Sequence, residues 1–167
     1  MKKRLLYSIL IIISFQGLAQ DEKYQALFLY KFIQNLEFPE GKIVDDYKVG
    51  ITGNNELRDQ LITLTEGRKI NGRGISITEY TPGDPISEFC ILFLSNQDND
   101  LVEALKEEAL TNSVVLVGET PGLAKKGASL NFSRAQGRLG FEMNATRLES
   151  SNVKSSSSLK MMATQVD

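Results

Sequence analysis

The run Phe89-Cys90-Ile91-Leu92-Phe93-Leu94 carries no polar side chain at all. A strand of this kind is apolar on both faces, so it belongs in the middle of a parallel sheet with helices covering each side. The rest of the chain supplies the partners that such a strand needs. Tyr47 to Thr52 is a short strand, and Ile75 to Tyr80 alternates apolar and polar residues as a half-buried strand does. Val114 to Val117 is a second buried strand, and Ser129 to Ser133 with Arg138 to Met143 forms a hairpin around Arg134-Ala135-Gln136-Gly137.

Helical patterns fall between these strands. Asp21 to Glu37 reads as a helix with Tyr24, Leu27, Phe28, Ile33 and Leu36 at helical spacings. Leu29, Tyr30 and Phe32 widen its apolar face beyond one stripe, so it packs on more than one side. Phe38-Pro39-Glu40-Gly41 ends it. A second helix starts after Asn54, a suitable N-cap, and buries Leu57, Leu61, Ile62 and Leu64. A third runs from Asp98 to Leu110, Pro121 to Lys126 forms a helical turn, and Asn144 to Glu149 is a short helix. The Ser-rich stretch from Ser155 precedes a last apolar group of Leu159, Met161 and Met162. Strands alternating with helices predict a single-domain α/β sandwich, with a mostly parallel central sheet and an antiparallel C-terminal hairpin.

The amino terminus sets a compartment. Lys2, Lys3 and Arg4 precede an almost unbroken apolar run from Leu5 to Phe15, and Gly17-Leu18-Ala19 supplies small residues for cleavage. This reads as a secretory signal peptide over residues 1–19, leaving a mature periplasmic domain over 20–167 that begins at Gln20. The apolar run is shorter than the roughly 20 residues of a spanning helix. Three of the 19 basic residues and none of the 21 acidic ones lie in that segment, leaving 16 against 21 and a net charge of -5. An acidic domain is poorly suited to neutralising phosphates, so nucleic acid is not an expected partner.

Composition removes several chemistries. The chain has no His, which excludes Ser-His-Asp and Cys-His catalysis and removes the usual zinc ligand. Cys90 is the only cysteine, so no internal disulfide forms, and its apolar neighbours mark it as a buried core residue. Asp45-Asp46 and Asp98 with Asp100 lack the full acidic loop of a calcium site. Gly50-Ile51-Thr52-Gly53 matches neither the dinucleotide nor the P-loop pattern. No catalytic constellation, metal site or cofactor is expected.

Two kinds of binding site remain. The carboxyl ends of the strands carry Thr52-Gly53-Asn54, Ser95-Asn96 and Gly118-Glu119-Thr120, where ligands collect in open α/β sheets. Arg68, Lys69 and Arg73, spaced by glycines, form a basic loop suited to a carboxylate or phosphate. Arg68, Asn71 and Arg138 are the candidate ligand-binding residues, with Arg134 beside Arg138 on the hairpin turn. Tyr24, Phe28 and Tyr30 on the aromatic opening helix, with the C-terminal apolar group, are the candidate partner-binding surface.

Four stretches in order resemble the YfiR-like family of exported bacterial signalling regulators. They are Tyr24-Gln25-Ala26-Leu27-Phe28-Leu29-Tyr30-Lys31-Phe32 with Leu36-Glu37-Phe38-Pro39; Gly67-Arg68-Lys69-Ile70; Cys90-Ile91-Leu92-Phe93-Leu94; and Gly127-Ala128-Ser129-Leu130-Asn131-Phe132 with Gly137-Arg138-Leu139-Gly140-Phe141-Glu142-Met143-Asn144. The resemblance implies a compact periplasmic α/β domain that acts without catalysis. Its expected partner is the extracytoplasmic sensor part of a membrane signalling protein, a diguanylate cyclase or a histidine kinase. It also implies an effect on cyclic-di-GMP and biofilm formation, and homodimers. The family's best-known member uses several cysteines in disulfides; with Cys90 alone, that feature does not carry over. A small-molecule-binding module is the alternative expectation, and a hydrolase using carboxylates is a weaker third.

Overall fold

The computed structural model describes residues 21–167. The expected signal peptide and its cleavage point lie outside the described residues. The first helix, α1, spans 21–35 and leads directly into a two-residue strand, β1 (Leu36–Glu37). There follow β2 (Tyr47–Ile51), α2 (Asn55–Thr65), β3 (Ile75–Glu79) and β4 (Ile91–Leu94). After a 3-10 turn at Asn96–Asp98 come α3 (Asp100–Thr111), β5 (Val115–Gly118) and α4 (Leu123–Lys126). The hairpin is β6 (Leu130–Ala135) and β7 (Arg138–Asn144). The chain ends with α5 (Ala145–Ser150), β8 (Lys154–Ser155), α6 (Ser157–Met162) and β9 (Thr164–Val166).

The main sheet has the order β3-β2-β4-β5-β6-β7-β9. From β3 to β6 every pairing is parallel, β7 is antiparallel to β6, and β9 returns parallel to β7. The expected mixed α/β architecture is the observed one. β4 shows why its sequence is apolar throughout: Ile91 and Phe93 face the core beneath α1 and α2, while Leu92 and Leu94 face the core beneath α3. Both layers are buried. Phe32, Phe93, Phe132 and Phe141 are fully buried in the first, and Ile86, Val102 and Leu116 in the second.

Local signals explain most boundaries. The Asn54 side chain accepts the Leu57 N–H at 3.0 Å and caps α2, and Asn144 does the same for α5 through the Arg147 N–H at 2.9 Å. Gly50 is required by packing, because a Cβ there would lie 2.8 Å from Leu92 Cδ1. α1 is two residues shorter than the sequence pattern predicts. Leu36 and Glu37 leave the helix to pair antiparallel with Ser155 and Lys154, and the Asn35 side chain accepts hydrogen bonds from Ser156 and Ser158 at 2.8 and 3.0 Å. The Ser-rich stretch is therefore an anchor for the end of α1. α6 and β9 carry too few periodic residues to stand out in the sequence. Only Leu159 of the C-terminal apolar group is buried, and Met161 and Met162 are exposed.

Two concavities at the carboxyl end of the sheet and beside α1

The strand order reverses direction between β2 and β4: β2 connects outward through α2 to β3, and β4 connects the other way through α3 to β5. The crevice beyond such a reversal is the usual ligand site of an open α/β sheet. Here it is a cleft of about 530 Å³ lined by Gly53, Asn54, Ser95, Asn96 and Glu119, closed on its upper side by Asp21, Glu22 and Gln25 of α1. The strand-end residues singled out in the sequence do come together.

Their hydrogen bonds are largely spent on one another. The Ser95 N–H donates to Thr52 Oγ1 at 3.0 Å, and Ser95 Oγ donates to Asp98 Oδ2 at 2.8 Å. Glu119 accepts the Asn96 N–H at 2.9 Å on Oε1 and the Gln25 amide at 2.9 Å on Oε2. Gly53, in a left-handed conformation with φ 58°, lets these elements approach, since a Cβ there would lie 2.5 Å from Ser95 Oγ. The chain's own carboxylate thus occupies the backbone donor that an anionic ligand would use. Asp21 and Glu22 add negative charge, and Glu22 Oε2 is buried with no hydrogen-bond partner among the described residues. An anion is disfavoured in this cleft.

The second concavity lies between α1 and the β6–β7 hairpin. It has a volume of about 500 Å³, with Tyr24, Leu27, Phe28 and Lys31 on the helix side and Arg134, Arg138 and Leu139 on the hairpin side. Tyr24 and Leu27 are 46 % and 40 % exposed and lie together on the wall of this groove. Phe28 forms the floor. Its ring lies 5.5 Å from Phe141, 6.1 Å from Phe132 and 6.2 Å from Phe32, so it belongs to the core as much as to the groove. Arg134 pairs with Asp21 at the groove's end. Lys31 and Arg138 have no carboxylate within salt-bridge distance among the described residues.

The candidate residues are divided between two ends of the molecule. Tyr24, Phe28 and Arg138 share the groove. Tyr30 lies on another side of α1, where the Arg68 guanidinium sits 5.5 Å from its ring centroid. Arg68 Nε also donates to the Leu64 carbonyl at 2.6 Å. Asn71, left-handed at φ 52°, donates to the Tyr47 hydroxyl at 3.3 Å. Arg68 and Asn71 precede β3 at one edge of the sheet, whereas Arg138 starts β7, near the other edge. The three candidate ligand residues therefore do not converge on one cavity. Leu27, Lys31 and Leu139 were not singled out in the sequence. Their helical and strand spacings were visible, but their convergence depends on how α1 crosses the hairpin.

Cys90 is buried at 1 % exposure, unpaired, and donates to the Lys48 carbonyl at 3.1 Å. Burial pushes its thiol up to about 12. Among the described residues, no group of His, Cys, Asp or Glu is placed to hold a metal ion, and no helix is long and apolar enough to cross a membrane.

The chain matches the YfiR/HmsC-like family over residues 22–164 and belongs to that family. Membership implies a periplasmic regulator of signalling proteins. No curated protein matches the chain.

Proposed function

We propose that this protein binds the extracytoplasmic sensor part of a membrane diguanylate cyclase and restrains it, lowering cyclic-di-GMP and biofilm formation. The observation that carries this reading is the groove beside α1. It presents exposed Tyr24 and Leu27 on a helix, with cations at its rim, in a chain whose usual α/β ligand crevice has a backbone donor already held by its own Glu119. Aromatic and aliphatic anchors on a fixed element are what a protein-binding surface uses. Within the original aromatic set, Tyr24 and Phe28 belong to this surface, and Tyr30 belongs to the Arg68 side. Regulation would follow from differential affinity for two states of the receptor, because equal affinity shifts nothing.

The test is genetic and biochemical. Deleting the gene should raise cellular cyclic-di-GMP. The wild-type gene should restore it, and Leu27→Asp should not, although the variant protein melts like the wild type. An unchanged cyclic-di-GMP level on deletion would sink the cyclase reading and turn attention to a histidine kinase. A small-molecule module is the second reading, favoured by the presence of Arg138 and Tyr24 in one groove. A metabolite that raised the melting temperature of the wild type but not of Arg138→Ala would support it.

A further inference from the structure

Strand β7 is longer than the strand that covers it. β9 pairs only with Glu142, Met143 and Asn144, so the stretch before them has β6 on one side and no strand on the other. Gln136 and Gly137 both have positive φ, 52° and 76°, the two-residue type I′ turn. A two-residue turn of this type closes on a hydrogen-bonded pair, which the register makes Ala135 with Arg138. Alternation then turns the N–H and C=O of Leu139 away from β6, towards the open edge. Gly140 follows. Its φ is not in the left-handed region, and a Cβ there would meet nothing within 4 Å. Neither the turn nor the packing calls for glycine, and glycine inside a strand is a mark of close approach by another backbone.

This open edge borders the groove of Tyr24 and Leu27, through Leu139. We propose that the partner docks by strand addition: an extended segment with alternating apolar and acidic side chains pairs with the free half of β7. Its apolar side chains enter the groove beside Leu139, and its carboxylates, on the opposite face of the added strand, meet Arg138. Backbone hydrogen bonds supply the affinity in such a mode, and the alternate side chains supply the specificity. The acidic character follows from Arg138, which is exposed and has no carboxylate within salt-bridge distance among the described residues. The proposal rests on the reading of this face as the docking surface and specifies how the docking occurs.

Isotopically labelled mature protein titrated with three short blocked peptides tests it. The first alternates leucine and glutamate. The second is the same peptide N-methylated at alternate backbone nitrogens, and the third carries lysine in place of glutamate. The first should shift the amide signals of Leu139 and Gly140 and slow exchange of the Leu139 N–H about tenfold or more. Both controls should bind at least about tenfold more weakly. Equal binding of the N-methylated peptide overturns strand addition but leaves docking on this face standing. That broader reading fails separately, if Leu27→Asp complements the deletion as the wild type does. No shift at Leu139 with about 1 mM of the first peptide also overturns the proposal. So does movement of the Leu139 signal with protein concentration alone, which would assign the edge to a second copy.

Discussion

The switch-point cleft and the α1–hairpin groove are nearly equal in size, about 530 and 500 Å³, and they adjoin through Asp21, Arg134 and Leu139 but differ in chemistry. In the cleft, the strand-end donors and acceptors are bonded to one another, and the net charge of the lining is negative. In the groove, the walls are apolar and exposed and the rim is cationic. Position in the fold alone would favour the cleft. Satisfaction of the polar groups favours the groove, because a hydrogen-bond donor already held by a carboxylate has little to offer a ligand, whereas exposed apolar surface gains by being covered.

Five substitutions probe this contrast and the sheet beneath it, from the largest expected loss, at Phe28 with Tyr24 as its control, to a small one at Arg68. Phe28→Ala removes the groove's floor and a four-ring contact in the core, and should lower unfolding free energy by about 3 kcal/mol in urea melts. Its neighbour on the wall, Tyr24→Ala, should cost no more than about 0.5 kcal/mol. Equal losses at the two positions would mean that Tyr24 is a core residue and that the groove is not an open surface.

Glu119→Ala leaves the Asn96 N–H and the Gln25 amide without their acceptor, and about 1–3 kcal/mol of stability should be lost. A stability gain would show instead that the acidic cleft is strained and awaits a cation.

Cys90 provides an internal gauge of how dry the sheet is. Its folded thiol titrates at about 12, above the ordinary value of 9.0, so the folded state holds this proton more tightly than the unfolded state. The contribution is fully present below the unfolded value and is lost as pH rises from there towards about 12. Stability of the wild type should therefore fall more steeply across that range than stability of Cys90→Ala. A thiol reagent at mildly alkaline pH should leave native Cys90 unmodified and react once the chain is unfolded. Rapid labelling of native protein would contradict the buried placement.

Arg68→Ala loses only the stacking on Tyr30 and one backbone hydrogen bond at an exposed loop, for about 0.5–1 kcal/mol. It should leave cyclic-di-GMP restoration intact, because Arg68 lies away from the groove. A loss of restoration without a loss of stability would move the docking surface to the Tyr30 side of α1.

Much of the fold is legible in the chain. The continuous apolar run of β4, the Asn54 cap and a hairpin turn within Arg134-Ala135-Gln136-Gly137 are local signals that survive folding. The elements that were not legible are the ones made by distant pairings. β1 and β8 are two residues each and exist because Leu36-Glu37 meets Lys154-Ser155, and no local pattern announces that. β9 alternates too briefly to be distinguished from a coil, and it is a strand only because β7 offers an edge.

The candidate site divides in the same way. Sequence alone marked Tyr24, Phe28, Tyr30, Arg68, Asn71 and Arg138 as residue types that bind, and the strand ends as a place where ligands gather. It also settled which chemistries were out of reach, because a chain without His and with one Cys lacks those reactive groups in any fold. The tertiary structure decided which of the marked residues meet. Side chains far apart in the chain come together only through the crossing of α1 over the hairpin and the order of the strands. That crossing puts Arg138 beside Tyr24 and leaves Arg68 beside Tyr30. The pairing of β4 with β5 likewise brings Glu119 to the Asn96 N–H, a hydrogen bond that takes a donor out of the expected crevice.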